Sequence, residues 1–544
     1  MLKRMLRAFW RGSSTVDAVS AHESSMDGDS HVAAGRAYLD RGRVAEARIE
    51  FEAALDAAPD SREALFALGL LEASERRYKA ARRQFELMVA RDSLDVEAHN
   101  ALANVNRLLG DHAAAERGYR AAHAIDPGSA TVLANLGACL KDAGSLDEAL
   151  QVLDAAIALE SGIPDVILNR ATVLVDLGRV EEAEAVLRAL IASDHDFAEA
   201  HMCLSHVLLQ DGRFSEGWEE YAWHYASADA RPRASYAYPM WNGDELRDGP
   251  LLLRGMHGLG DQIMFASCLS DVGRLVDRCI LECDERLVPL FARSFPRVQV
   301  CGKRNGNTDT WARNNMAPAA QAMLSGLPRL FRKTAESFPR HDGYLKADSE
   351  AVRFWRRRLD QLGPGLKVGI SWRGGAAQTR RSLRSIPLDD WHPVLSIPGI
   401  RFVSLQYGDC EDEIARTRAL SGVEIFHDSK VIDDYDQTAA LVSALDLVVS
   451  VQTSVVHLAG ALSKRVWVAV PGMAIYAYGG RYAMVSIRSP ISAADVVRLV
   501  GRGRAPEAGT GPGSGILILG AGLVYDVVVW NLRKSPRGNN GRTP

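Results

Sequence analysis

Small and apolar positions recur every 34 residues along the first part of the chain. Small residues stand at Gly35, Gly69, Ala103, Gly137, Ala171 and Ser205, and twelve positions after each comes Ala47, Ala81, Ala115, Ala149, Ala183 or Gly217. Sixteen positions after each comes Phe51, Phe85, Tyr119, Leu153, Leu187 or Tyr221. This pattern predicts two helices per unit. The two small residues let the helices approach closely, and the aromatic or Leu fills the gap toward the neighbouring unit. Gly42, Gly110, Gly144, Gly178 and Gly212 fall between the two helices, where a left-handed residue ends the first.

Six units over 28–231, after an N-terminal tail at 1–27, predict an all-α solenoid that folds by itself, with a concave face for a protein or peptide partner. The period and its order of small, small and large residues resemble the tetratricopeptide repeat, a helix-turn-helix unit.

The pattern then changes. A Tyr-, Pro- and Trp-rich stretch reads as a linker at 232–249. From PLLLRGM onward, short apolar runs alternate with helical patterns, first through GLGDQIMFASCLSDV, CILEC and VQVCG. The alternation restarts at LKVGISW and continues through RFVSLQYG, DQTAALVSAL, LVVSV, SVVHLAGALS and VWVAV. Such order builds parallel sheets with helices on both faces. Two restarts predict two Rossmann-like domains, 250–360 and 361–471, facing each other across a cleft.

Composition narrows the function. The 544 residues are 47% hydrophobic and 24% charged with a net charge of -4, which describes a folding chain without a dedicated nucleic-acid surface. Seven cysteines without a Cys-x-x-Cys pair argue against a disulfide framework or zinc site, and fit a reducing cytoplasm. Cys279 and Cys283, spaced to share one strand face, read as core. Neither the basic and apolar N-terminus nor GILILGAGLVYDVVVW is a continuous apolar span, so no stable membrane insertion is expected.

Three segments carry candidate chemistry. Gly255, Gly258, Gly260 and Asp261 sit between a strand and a helix, where backbone N–H groups and the helix dipole favour an anion; a tight turn capped by Asp261 is the alternative. Gln452-Thr453-Ser454 precedes the helix of His457 and suits a diphosphate, with a simple Ser/Thr cap as the rival and a packed histidine as the plain reading of His457. Arg373, at a strand's carboxyl end, can clamp phosphate, whereas Arg380, Arg381 and Arg384 read as a solvated loop. Asp433, Asp434 and Asp436 superficially offer metal ligands, but a helix cap explains them better.

In combination GLGDQIMFA, LKVGISWRGG, RFVSLQYG, DQTAALVSALDLVVSVQTSVVHLAGAL and VWVAVP resemble the bacterial tetratricopeptide proteins that carry a glycosyltransferase module similar to ADP-heptose:lipopolysaccharide heptosyltransferases. More distantly they resemble the protein O-GlcNAc transferases. The resemblance covers roughly 28–471. It implies a GT-B-like α/β module with a nucleotide-diphosphate sugar as donor substrate on the second domain, an acceptor at the first, and no cofactor or metal. It implies a general-base role for Asp261, donor contacts from Gly258, Gly260, Thr453, Ser454 and His457 with Arg373 at the leaving diphosphate, and Gln406 near the nucleotide. A non-catalytic scaffold that keeps the transferase fold for binding is the competing function.

The C-terminus departs from the resemblance. Its members continue with a pattern like Glu-Trp-Arg and then Pro-Trp-Tyr-Pro-Ser-Val-Arg-Leu-Phe-Arg-Gln. Met484-Val485 must be encoded ATG-GTN, which reads Trp in the next frame, and the flanking codons permit the missing segment in order. The reading frame is therefore expected to slip between Val466 and Gly472, leaving 472–544 as a divergent, unstructured tail.

Overall fold

The computed structural model describes residues 27–225, 238–256, 258–303, 317–338, 343–374, 384–470, 516–520, 523–527 and 529–531. The tail at 1–26, residues 232–237 of the linker, Arg380, Arg381 and residues 471–515 lie outside the described residues. Two compact units divide the chain, 1–174 and 175–544.

In the first unit the periodic pattern becomes helix pairs. Gly28–Asp40 pairs with Val44–Ala57, Arg62–Ser74 with Tyr78–Arg91, Val96–Leu108 with His112–Ile125, and Ala130–Ala143 with Leu146–Leu159. First helices start at polar caps: Asp27, Ser61, Asp95 and Ser129 each accept a hydrogen bond from a backbone N–H three residues on. Gly42, Gly110 and Gly144 end them with positive φ. In the second repeat the same place is held by Arg76, whose φ is 61°.

The packing logic is tighter than the sequence pattern suggests. A β-carbon on Gly69 would lie 2.6 Å from the Phe85 ring, and one on Gly137 would lie 2.6 Å from Leu153. The large residue therefore seats on the small residue of its own repeat and, as expected, also packs toward the next unit: Phe51 shares a core with Ala67 and Leu68, and Phe85 with Ala98 and Ala101. Successive repeats are joined by ion pairs such as Arg62 to Asp95 at 2.7 Å and Arg107 to Asp142 at 3.0 Å.

The second unit opens with helices Val180–Ser193, Ala198–Gln210 and Phe214–Tyr221 and the one-turn segment Ala222–Tyr225. Two sheets follow. Strands β1 (Leu251–Arg254), β2 (Cys279–Asp284), β3 (Val298–Lys303) and β4 (Ala320–Met323) form a parallel sheet in the order β3-β2-β1-β4. Strands β5 (Leu366–Ser371), β6 (Ile400–Ser404), β7 (Ile425–Phe426), β8 (Leu447–Val451) and β9 (Val466–Val470) form a second, also parallel, in the order β9-β8-β5-β6-β7. Cys279 and Cys283 are buried in β2.

Two expectations are corrected here. Leu209, Trp218 and Tyr221 of the sixth repeat belong to one apolar core with Leu251, Leu253 and Phe265, so that repeat cannot bury its own face without the first sheet. The tail, expected to be unstructured, includes β10 (Ile516–Gly520) and β11 (Leu523–Val527) as an antiparallel hairpin, and β12 (Val529–Asn531), which extends the second sheet beside β9. Apolar and β-branched runs there satisfy their backbone groups by pairing.

Candidate functional site

In the second sheet the chain leaves β5 toward β6 on one side and returns through β8 on the other. The carboxyl ends of β5 and β8 therefore flank the reversal point where open parallel sheets bind ligands. After β5 comes Trp372-Arg373-Gly374. A β-carbon on Gly374 would meet the Arg384 carbonyl at 2.7 Å and the Gln452 carbonyl at 2.8 Å, so only glycine lets the loop pass this close.

Gln406, buried after β6, braces that turn. Its Oε1 accepts from the backbone N–H groups of Trp372 at 3.0 Å and Arg373 at 2.8 Å, while Nε2 donates to the Tyr407 carbonyl at 3.1 Å. The Arg373 guanidinium turns to Glu413 at 3.1 Å and donates to the Asp409 carbonyl at 2.6 Å. Both residues thus fix the loop.

Beyond β8 the geometry is different. Thr453 precedes the helix Ser454–Ala461 without capping it, and its hydroxyl lies 3.1 Å from the Ser450 hydroxyl instead. Among the described residues no side chain caps this helix start, which leaves a dipole suited to an anion. Gln452 is 2% exposed, and neither atom of its carboxamide has a hydrogen-bond partner among the described residues. A buried unpaired amide costs about 1–3 kcal/mol, which a bound polar ligand would recover.

The helix Leu259–Ala266 of the first sheet packs against this helix, close to the starts of both. A β-carbon on Gly260 would lie 3.0 Å from His457 Cδ2 and 3.3 Å from Ser454 Cα. Asp261, on the first turn, keeps a partly open face. Burial pushes its carboxyl above the ordinary range; the charges of His457, His224 and Arg384 and the Gly258 backbone N–H oppose the shift only in part. Burial pulls His457 down to about 4, against the attraction of Asp261. The arrangement is a protected carboxyl beside a neutral imidazole, able to accept a proton from a hydroxyl. No group of three or more His, Cys, Asp or Glu side chains among the described residues is placed to hold a metal ion.

The tetratricopeptide repeat family matches residues 32–95, 74–130, 107–162 and 141–207. Residues 32–207 carry tetratricopeptide repeats. The chain is 37% identical over 275 residues to protein FlbA of Caulobacter vibrioides, an alignment covering 47% of this chain and 45% of that protein. It therefore spans less than half the length of this curated relative. Among solved structures, the tetratricopeptide protein TTC0263 of Thermus thermophilus aligns with 34% of this chain and 99% of its own, at 22% identity and a TM-score of 0.29. Pseudomonas aeruginosa PilF aligns with 38% of this chain and 93% of its own, at 19% identity and a TM-score of 0.32. No helix among the described residues is long and apolar enough to cross a membrane.

Gly258, Gly260, Asp261, Thr453, Ser454 and His457 converge, whereas Arg373 and Gln406 stand behind them as loop supports. Arg384, expected in a solvated loop, is half-buried and its charge faces Asp261. In the acidic run Asp434 caps the helix Tyr435–Ala444, while Asp436 forms a two-pronged ion pair with Arg293 at 2.8 and 2.7 Å. His224 was not singled out by sequence, since its aromatic surroundings read only as the end of the tetratricopeptide array.

Proposed function

We propose that the protein is a nucleotide-sugar-dependent glycosyltransferase of GT-B type whose tetratricopeptide repeats recruit a protein or peptide partner. The observation that carries this reading is the convergence, at the reversal point of the second sheet, of an uncapped helix start, the unpaired Gln452 carboxamide and the half-buried Asp261 carboxyl.

In this reading the donor diphosphate rests on the N–H groups at Ser454–Ala461, with the Thr453 and Ser454 hydroxyls beside it. Gln452 reads a donor hydroxyl. The acceptor hydroxyl gives its proton to Asp261 as its oxygen attacks the anomeric carbon, and the bond from that carbon to the diphosphate oxygen breaks, leaving the electron pair on the diphosphate. Arg373 would join only by leaving Glu413; otherwise it holds the turn. The reading invokes no metal.

A thermal-shift screen of ADP, UDP, GDP and their sugars tests it, because a ligand at 100 times its Kd adds about 2.7 kcal/mol of stability. Transfer from one donor supports the enzyme. Saturable diphosphate binding without turnover of any donor favours the scaffold reading instead.

A further inference from the structure

The two helices whose starts meet at Gly260 are also tied together at their last turns, by one residue. Ile263 lies in the last turn of the helix Leu259–Ala266, where carbonyl groups run out of N–H partners within the helix. The Ser267 N–H, which would close the regular turn onto Ile263, donates to the Met264 carbonyl at 3.3 Å instead. The Tyr344 hydroxyl donates to the Ile263 carbonyl at 2.6 Å. Ala461 is the last residue of the helix Ser454–Ala461, and its carbonyl accepts from the backbone N–H groups of Tyr344 and Leu345, each at 2.9 Å.

The tie is itself held in place. Gly343 has a φ of +84°, and a β-carbon there would meet the Ala461 carbonyl at 2.7 Å, so only glycine brings the segment this close. The Lys346 N–H donates to Ser294 Oγ at 2.9 Å, at the end of the helix Val288–Ser294. The Tyr344 ring stacks on Phe295, the next residue, with ring centres 6.5 Å apart and planes 28° apart.

We propose that Tyr344 is a positioning residue that sets the spacing between Asp261 and the start of the helix Ser454–Ala461. The proposal rests on the reading of that helix start as the diphosphate site and of Asp261 as the base. Two points fix the helix pair: the contact of Gly260 with His457 and Ser454 at the starts, and Tyr344 at the last turns. Cutting the hydroxyl bond frees the helix of Asp261 to swing about the Gly260 contact. The backbone bonds to Ala461 remain and keep the diphosphate helix in place. Asp261 and the attacking hydroxyl then lose their alignment while donor binding persists.

The test uses the full chain. Gly260→Val forces the helix starts apart, and the drop in denaturation midpoint that it causes is measured in wild type and in Tyr344→Phe. With the hydroxyl bond cut the helices part more easily, so the drop is expected to be smaller in Tyr344→Phe than in wild type. Tyr119→Phe is the control. It deletes another buried hydroxyl, which donates to Asn104 Oδ1 at 2.8 Å in the third repeat, and the drop there should match wild type. Equal drops in all three backgrounds, or no drop in wild type, overturn the proposal. Should Tyr344→Phe not fold, Gly343→Ala, which pushes the segment off Ala461, takes its place; failure of both to fold overturns the proposal by making Tyr344 a core residue. On the same samples Tyr344→Phe should keep nucleoside diphosphate affinity and lower the turnover of transfer about tenfold, a split that lost stability alone does not produce. Unchanged turnover overturns the proposal. Coupled midpoints without any nucleoside diphosphate binding remove the transferase reading alone, and diphosphate binding with uncoupled midpoints removes the role of Tyr344 alone.

Discussion

Gly260 and His457 touch where two helix starts from different sheets meet: a β-carbon at Gly260 would stand 3.0 Å from the imidazole Cδ2. This closeness brings Asp261, the next residue, against the ligand end of the second sheet. Gly260→Val should therefore push the two helices apart, at about 1–3 kcal/mol of stability for overpacking. Chemical denaturation measures that loss, and an unchanged midpoint would mean that the contact yields without strain.

Asp261 and His457 give opposite pH signatures. The folded pKa of Asp261 is raised, so the stability it contributes is complete below its unfolded value near 3.8 and is lost as pH rises through the folded value. The folded pKa of His457 is lowered from 6.5 to about 4, so its contribution is present above 6.5 and is lost as pH falls toward 4. Asp261→Asn should leave the neutral-pH denaturation midpoint equal or higher while abolishing the proposed transfer. A clearly lower midpoint would show that the ionised carboxylate stabilises the fold.

Arg76 occupies the left-handed position that glycine holds in other repeats. Arg76→Gly should raise stability by about 1 kcal/mol by removing the side-chain penalty of that conformation. Thermal melts of the two proteins compare them directly, and destabilisation would reveal a contact made by the Arg76 side chain.

The sixth repeat shares its core with the first sheet through Leu209, Trp218 and Tyr221. A fragment covering 28–231 should be helical yet self-associate through these uncovered side chains. Light scattering tests this, with a monomer at high concentration as the opposing result.

The sequence displayed the repeat frame and both strand-helix alternations because each rests on local periodicity, and Gly69 with Phe85 shows how literally that periodicity becomes contact. Long-range contacts were hidden. Nothing near Arg373 in sequence announces Glu413, and nothing near Gln406 announces the turn at Trp372, which it braces from another strand. His224 was obscured for the same reason, since Tyr221, on which it stacks, packs against Phe265, 44 positions on from Tyr221. The tail strands were missed because a frame argument bears on ancestry, whereas an apolar β-branched run can pair whatever its origin.

The central claim is a diphosphate site at the start of the helix Ser454–Ala461, and calorimetric titration of nucleoside diphosphates into wild type and Thr453→Val/Ser454→Ala tests it most directly. Saturable binding to the wild type, weakened by roughly 1–3 kcal/mol in the double variant, is the predicted result. Equal affinity in both proteins, or no saturable binding of any nucleoside diphosphate to the wild type, would contradict it.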